Sequence, residues 1–156
     1  MIVAGSLVEY IEGGRFLCAL VAAVADRKIH LLNQNGREIN LPESRIVIVS
    51  RRAQPQEASR EQLAAALQER ARHRAELAET IALEELWEIA CAEPEEEFAV
   101  DCLAELQFGA AVDDDRRAAF LRAVFADPLY FKFRNGRIVV HSADQVEQLQ
   151  AQRQRE

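Results

Sequence analysis

The first fifty residues read as strands, short apolar-rich runs separated by turn residues. Five short runs stand out, at 7–11, 16–24, 29–33, 37–41 and 45–49. The breaks between them carry turn chemistry: Glu12-Gly13-Gly14, Asp26-Arg27, Asn35-Gly36 and Pro42-Glu43-Ser44. Asn-Gly is the strongest hairpin signal among these, because both residues tolerate the positive φ of a tight turn. Ile39 and Leu41 alternate with Glu38 and Asn40, one face in and one face out. Five strands in this span predict a small antiparallel barrel, SH3-like or OB-like, over residues 1–52. A barrel of that size buries little, so it is expected to lean on the next part of the chain.

The period then becomes helical. A polar stretch at 51–58, with Pro55, predicts a linker, and Ser59 with Gln62 forms a capping box that opens a helix to about Leu77. Its stripe of Leu63, Leu67 and Ala71 is narrow, which predicts shallow docking, and Arg72 and Glu76 are spaced to pair. Residues 53–79 thus read as linker and connector helix. Leu83, Leu86, Trp87, Ala90 and Cys91 make one face of a second helix. Pro94 suits the first turn of a third, with a face of Phe98, Cys102, Leu103 and Leu106 and a stop at Gly109. Asp113 caps a fourth, bearing Ala118, Leu121, Val124 and Phe125, which Asp127-Pro128 ends. Runs at 129–134 and 137–141 flank Asn135-Gly136 as a two-stranded hairpin. Three short helices and a hairpin are the order of a winged helix-turn-helix, placed at 80–141. Ser142 with Gln145 opens a polar terminal helix at 142–156. The fold class expected is α+β, in two small modules.

Charge sharpens this division. Of the net charge of −7, residues 1–56 contribute +2 and residues 57–156 contribute −9. Between Glu79 and Asp115 there are thirteen acids and no Lys or Arg, which excludes that stretch as a phosphate-binding surface. A solvated helical face is the simpler account, a basic partner or neighbouring domain the other. The apolar content of 49% excludes wholesale disorder. The longest apolar run, 16–25, falls short of the roughly 20 residues that span a bilayer, so no membrane association is expected. The start lacks a basic segment before an apolar core, and the three cysteines lack CxxC spacing. A reduced, cytoplasmic setting is expected.

Little in the residues points to catalysis. His30, His73 and His141 are isolated, and His73 reads as solvent-exposed. Consecutive acids at Glu95–Glu97 and Asp113–Asp115 point about 100° apart on a helix, so they read as solvated helix starts rather than ligands of one ion. Cys91 and Cys102 read as core packing. The hairpin is more suggestive. Pairing across Asn135-Gly136 sets Arg134 opposite Arg137, Phe133 opposite Ile138 and Lys132 opposite Val139. Phe131, Phe133, Ile138 and Val140 then share the underside, while Tyr130, Lys132, Arg134, Arg137 and His141 share the upper face. That upper face could hold phosphates and stack a base, or could simply solubilise an exposed ribbon. Arg15, Arg27, Lys28, Arg37 and Arg45 lie in or beside the barrel turns and are weaker candidates for the same contact. The fourth helix opens Asp113-Asp114-Asp115 ahead of Arg116, Arg117 and Arg122, so sequence-specific DNA reading by its first turn is disfavoured.

The segments GSLVEYIEGGRFLCALV and LLNQNGREINLPESRIV resemble the N-terminal small barrel of exoribonuclease II (RNB-family) proteins of the cyanobacterial and Deinococcus-like type. ALEELWEIACAEPEEEFAVDCLAELQFG and FRNGRIVV look like the helix-turn-helix module that comes after it in that family. The resemblance implies a barrel, a connector and a helix-turn-helix ahead of a catalytic domain that hydrolyses single-stranded RNA from its 3′ end. That catalytic domain holds magnesium on clustered aspartates, and no such Pro-flanked, aspartate-rich segment occurs in this chain. What is implied here is a non-catalytic region, without a cofactor of its own, that guides or gates RNA. It would bind single-stranded RNA weakly and contact its own downstream catalytic domain, with the natural chain continuing past Glu156. A protein-binding adaptor built on a winged helix, with no nucleic acid, is the alternative.

Overall fold

The computed structural model describes residues 2–53, 59–110 and 112–155, with backbone only for 51–53. The chain divides into two compact units, Met1–His73 and Arg74–Glu156. Among the described residues no helix is long and apolar enough to cross a membrane.

The first unit is an antiparallel meander of β1 (Ser6–Glu12), β2 (Arg15–Ala25), β3 (Lys28–Asn33), β4 (Glu38–Pro42) and β5 (Ile46–Ala53). A 3-10 turn, Glu43–Arg45, separates the last two strands. The strand order is β4-β3-β2-β1-β5, so the sheet is open, with β4 and β5 as its edges. The linker expected from residue 51 begins later than its polarity suggests, because β5 continues to Ala53 and pairs it with Ser6. Residues 54–58 lie outside the described residues.

Both faces of the sheet are covered. Val8, Tyr10, Ala19, Val21, Ile29 and Leu31 pack on one side. Leu7, Cys18 and Leu20 pack on the other, against Leu67 and Ala71 of α1 (Arg60–Glu79). That double cover explains why β2 reads as a nearly continuous apolar run. It also buries Glu9 completely, where alternation alone would leave it wet, and the Cys18 thiol donates to Glu9 Oε1 at 3.4 Å. The expected capping box holds: the Gln62 amide donates to Ser59 Oγ (3.2 Å) and the Ser59 amide to Gln62 Oε1 (3.0 Å). The start of the helix lies along the β3–β4 loop, where the Arg60 guanidinium donates twice to Gly36 O (3.0 and 2.8 Å). Arg72 meets Glu69 one turn back.

The tight turns differ in chemistry. Asn35-Gly36 does not make a two-residue turn: only Gly36 takes positive φ. Asn33 and Arg37 close a three-residue loop whose tip is held by Asn33 Oδ1, which accepts from the amides of Asn35 and Arg37. Asp26 and Arg27 both take positive φ without being glycine, a conformation that costs about 1–2 kcal/mol per residue.

The second unit receives the end of α1 from Arg74 onward, then α2 (Leu83–Cys91), β6 (Glu97–Ala99), α3 (Val100–Phe108), α4 (Asp114–Ala126), β7 (Phe131–Arg134), β8 (Arg137–Val140) and α5 (Ala143–Gln154). The third helix does not begin at Pro94. Glu97–Ala99 is a strand that pairs with β8, Phe98 opposite Ile138, and the helix starts only at Val100. The partner lies far along the chain, so local periodicity could not reveal it. Two further expectations are corrected: Cys91 and Cys102 are exposed, and so is Leu106. The buried positions of α3 are Leu103 and Ala104. Phe120 and Phe131 meet edge-on in the interior at 6.3 Å. Phe125 is 40% exposed, but its ring lies 5.8 Å from that of Phe133. The Ser142–Gln145 capping box is present at the start of α5.

Each unit buries a tyrosine, with a consequence at high pH. Burial pushes the Tyr10 phenol up, opposed by the hydrogen bond from Asn33 and the Arg37 and Arg45 charges. Burial also pushes Tyr130 up, with Glu84 and Asp127 adding to it. Unfolded tyrosine ionises near pH 10, before either folded phenol, so the unfolded state binds fewer protons above that pH. Stability is therefore full below about pH 10 and lost as pH rises through the folded values. The urea midpoint should be flat to about pH 9 and then fall. Tyr10→Phe and Tyr130→Phe should each make that fall shallower, and an unchanged fall in both would refute the assignment.

Candidate nucleic-acid interface

The hairpin forms in the expected register: Arg134 opposite Arg137, Phe133 opposite Ile138, Lys132 opposite Val139. Asn135 and Gly136 both take positive φ, the backbone of a primed two-residue turn. The sheet order β6-β8-β7 adds a third strand beside the hairpin. Rows across it place Glu97, Val139 and Lys132 together on one face, with Ala99, Arg137 and Arg134 in the next row of that face. Phe98, Ile138 and Phe133 lie on the opposite face, and Ile138 is fully buried.

The upper face therefore holds three cations and one acid. Arg134 Nη2 donates to Glu97 Oε1 at 3.2 Å, and Arg137 Nε lies 3.6 Å from Oε2. One carboxylate thus bridges both guanidiniums. All three side chains are about half exposed. Lys132 is exposed and, among the described residues, has no ion-pair partner.

Tyr130 is not on this face. The strand starts two residues later than expected, after a turn in which the Leu129 amide donates to Asp127 Oδ1 (3.3 Å). Tyr130 leaves the pleat there and is 8% exposed, its ring 5.4 Å from Trp87. A base cannot stack on it. His141 is likewise engaged: its Nδ1 meets Leu129 O at 2.9 Å, and its carbonyl accepts from Trp87 Nε1 at 2.7 Å.

The five basic candidates of the first unit, Arg15, Arg27, Lys28, Arg37 and Arg45, are exposed but divided. Arg15 comes just after the β1–β2 turn and Arg37 closes the β3–β4 loop, whereas Arg27 and Lys28 sit at the β2–β3 turn. Alternate turns of an antiparallel meander lie at opposite ends, so the fold gathers these four into two pairs rather than one patch. Arg45 spends one donor on Ile11 O at 3.0 Å.

The acids at the start of α4 are more than a solvated helix start. Asp113 caps the helix, accepting from the Arg116 amide (2.9 Å) and its guanidinium (2.7 Å). Asp114 (2.8 Å) and Asp101 (2.6 Å) both accept from Arg117. Burial tends to lower the Arg117 pKa, but the two carboxylates outweigh it and hold the group above its usual range. Asp115 accepts from Arg74 Nε at 2.9 Å, and Arg74 is fully buried. Each of these acids pairs with an arginine: Asp113 with Arg116, Asp114 with Arg117 and Asp115 with Arg74. Among the described residues no group of three or more His, Cys, Asp or Glu is placed to hold an ion.

Sequence reading missed Glu97, Asp101 and Arg74. Glu97 was legible only once 97–99 is taken as a strand, since alternation with Phe98 then turns it to the basic face. Arg74 carried no local signal at all. Comparison with protein-family models, curated proteins and solved structures finds no match for the chain.

Proposed function

We propose that this chain is the non-catalytic, substrate-handling region of a ribonuclease II-like 3′-to-5′ exoribonuclease, one that guides single-stranded RNA toward a downstream catalytic domain. The observation that carries the reading is the order of elements. A five-stranded antiparallel meander with a 3-10 turn before its last strand supports an SH3-like barrel for the first unit. The run α2, β6, α3, α4, β7, β8, with sheet order β6-β8-β7, supports a winged helix for the second, β7 and β8 forming the wing. That is the module order implied by the resemblance of the quoted segments to RNB-family N-termini. Catalysis, and the magnesium it uses, belong in this reading to the downstream domain. RNA contact falls to Lys132, Arg134 and Arg137 on the wing, with Arg15, Arg27, Lys28 and Arg37 as auxiliary cations.

The test is fluorescence anisotropy with a labelled single-stranded oligoribonucleotide across a salt series. Weak binding that falls with salt is expected. Each phosphate contact on a single strand contributes about 0.7 to the log–log salt slope. Replacing Lys132, Arg134 and Arg137 by alanine should therefore make the slope shallower by about 2. Equal binding by wild type and triple variant removes the wing from RNA contact. In the gene, a reading frame continuing past Glu156 into clustered aspartates supports the reading, and a stop codon there removes it.

One observation favours a second reading, a winged-helix adaptor that binds protein and no nucleic acid. Arg116 and Arg117 of α4 are held by carboxylates, and residues 74–156 carry nine Lys/Arg against eighteen Asp/Glu. No RNA binding even at the lowest salt supports the adaptor.

A further inference from the structure

The Glu97 carboxylate presents one oxygen to each of two arginines that project from facing positions of the wing hairpin. Two guanidiniums converging on a two-oxygen anion is the arrangement by which proteins hold a phosphodiester. Here the anion is supplied by the neighbouring strand β6. We propose that Arg134 and Arg137 form a phosphate clip whose seat is occupied by Glu97, and that the backbone of single-stranded RNA displaces this carboxylate to bind. The inference deepens the RNA-handling reading and rests on it.

Physical magnitudes allow the exchange. Both ion pairs are half exposed, and such pairs contribute little, because water and salt screen them. Glu97 is held through its backbone, in a strand paired with β8, so its side chain can swing aside while the sheet stays intact. Lys132, in the same cross-strand row as Glu97, adds a third positive charge beside the seat. Occupation by Glu97 weakens any one phosphate contact without removing the arginines, which suits a strand that must keep moving rather than lodge.

The experiment measures binding of a labelled single-stranded oligoribonucleotide to the full chain by anisotropy, with thermal melts to verify folding. Glu97→Gln removes the charge and keeps the shape. It should tighten binding about three- to tenfold at low salt and leave the salt slope close to that of wild type, since the same phosphate contacts form once the carboxylate is displaced. Glu97→Ala serves as the second variant should the glutamine still bridge the arginines. Glu95→Gln makes the same charge change two residues away and should leave affinity within twofold. Adding Arg134→Ala and Arg137→Ala to Glu97→Gln should erase the gain. If wild type binds but neither Glu97 variant binds more tightly, or Glu95→Gln tightens binding equally, the clip is overturned while RNA handling stands. If neither wild type nor any variant binds RNA, the RNA reading itself fails and takes the clip with it.

Discussion

Arg74→Ala is expected to destabilise the unit spanning Arg74–Glu156 by about 3–5 kcal/mol, the cost of breaking a buried ion pair by removing one member. Arg74 is fully buried and its Nε donates to Asp115 at 2.9 Å, with Asp115 itself largely covered. Two charges out of water gain little over an apolar pair of the same shape, but one charge alone is costly. The double variant Arg74→Met with Asp115→Leu should therefore recover most of what either single variant loses. Trp87, the single tryptophan, lies in this unit, so its fluorescence in urea reports the unit directly. An Arg74→Ala midpoint within error of wild type would show that the pair carries no weight in the fold.

Tyr130→Ala is the second large effect, with an expected cost of about 3–5 kcal/mol, the range for truncating a buried aromatic side chain. The ring packs against Trp87 at 5.4 Å, so deleting it opens a cavity beside the hairpin. Below the new unfolding midpoint, the proposed affinity for single-stranded RNA should be unchanged, because the ring does not reach the upper face. The opposite pattern, normal stability with weakened RNA binding, would put Tyr130 back among the RNA contacts. Alternation along 129–134 predicted that placement. It failed because the chain is still in the Asp127 turn at Tyr130, and the pleat begins only at Phe131.

That failure shows where local reading reaches its limit. Register across Asn135-Gly136 was legible because a two-residue turn with positive φ at both positions leaves one pairing of the flanking residues. Ser59 with Gln62 and Ser142 with Gln145 were legible because a capping box is closed within four residues. Asn35-Gly36 was read as a turn, but with the wrong geometry. The Asn33 side chain, which sets the loop at three residues, sits just outside the dipeptide. Cys91 and Cys102 were placed in the core by helical spacing, yet both lie at the surface. For Cys102 the expected face was set by Phe98, which is not in the helix but in the strand that pairs with β8.

The chain's own order of residues determined the change from a period of two to a helical one and back, the tight turns, the caps and the basic hairpin. Each of these closes over a few neighbouring residues, so its free energy is set before anything distant arrives. Tertiary structure alone decided the third strand of the small sheet, the Glu97 carboxylate between Arg134 and Arg137, the burial of Arg74 on Asp115 and the burial of Tyr130 on Trp87. Those depend on partners tens of residues away, and a side chain's charge or ring gains its role only when folding takes it out of water beside them.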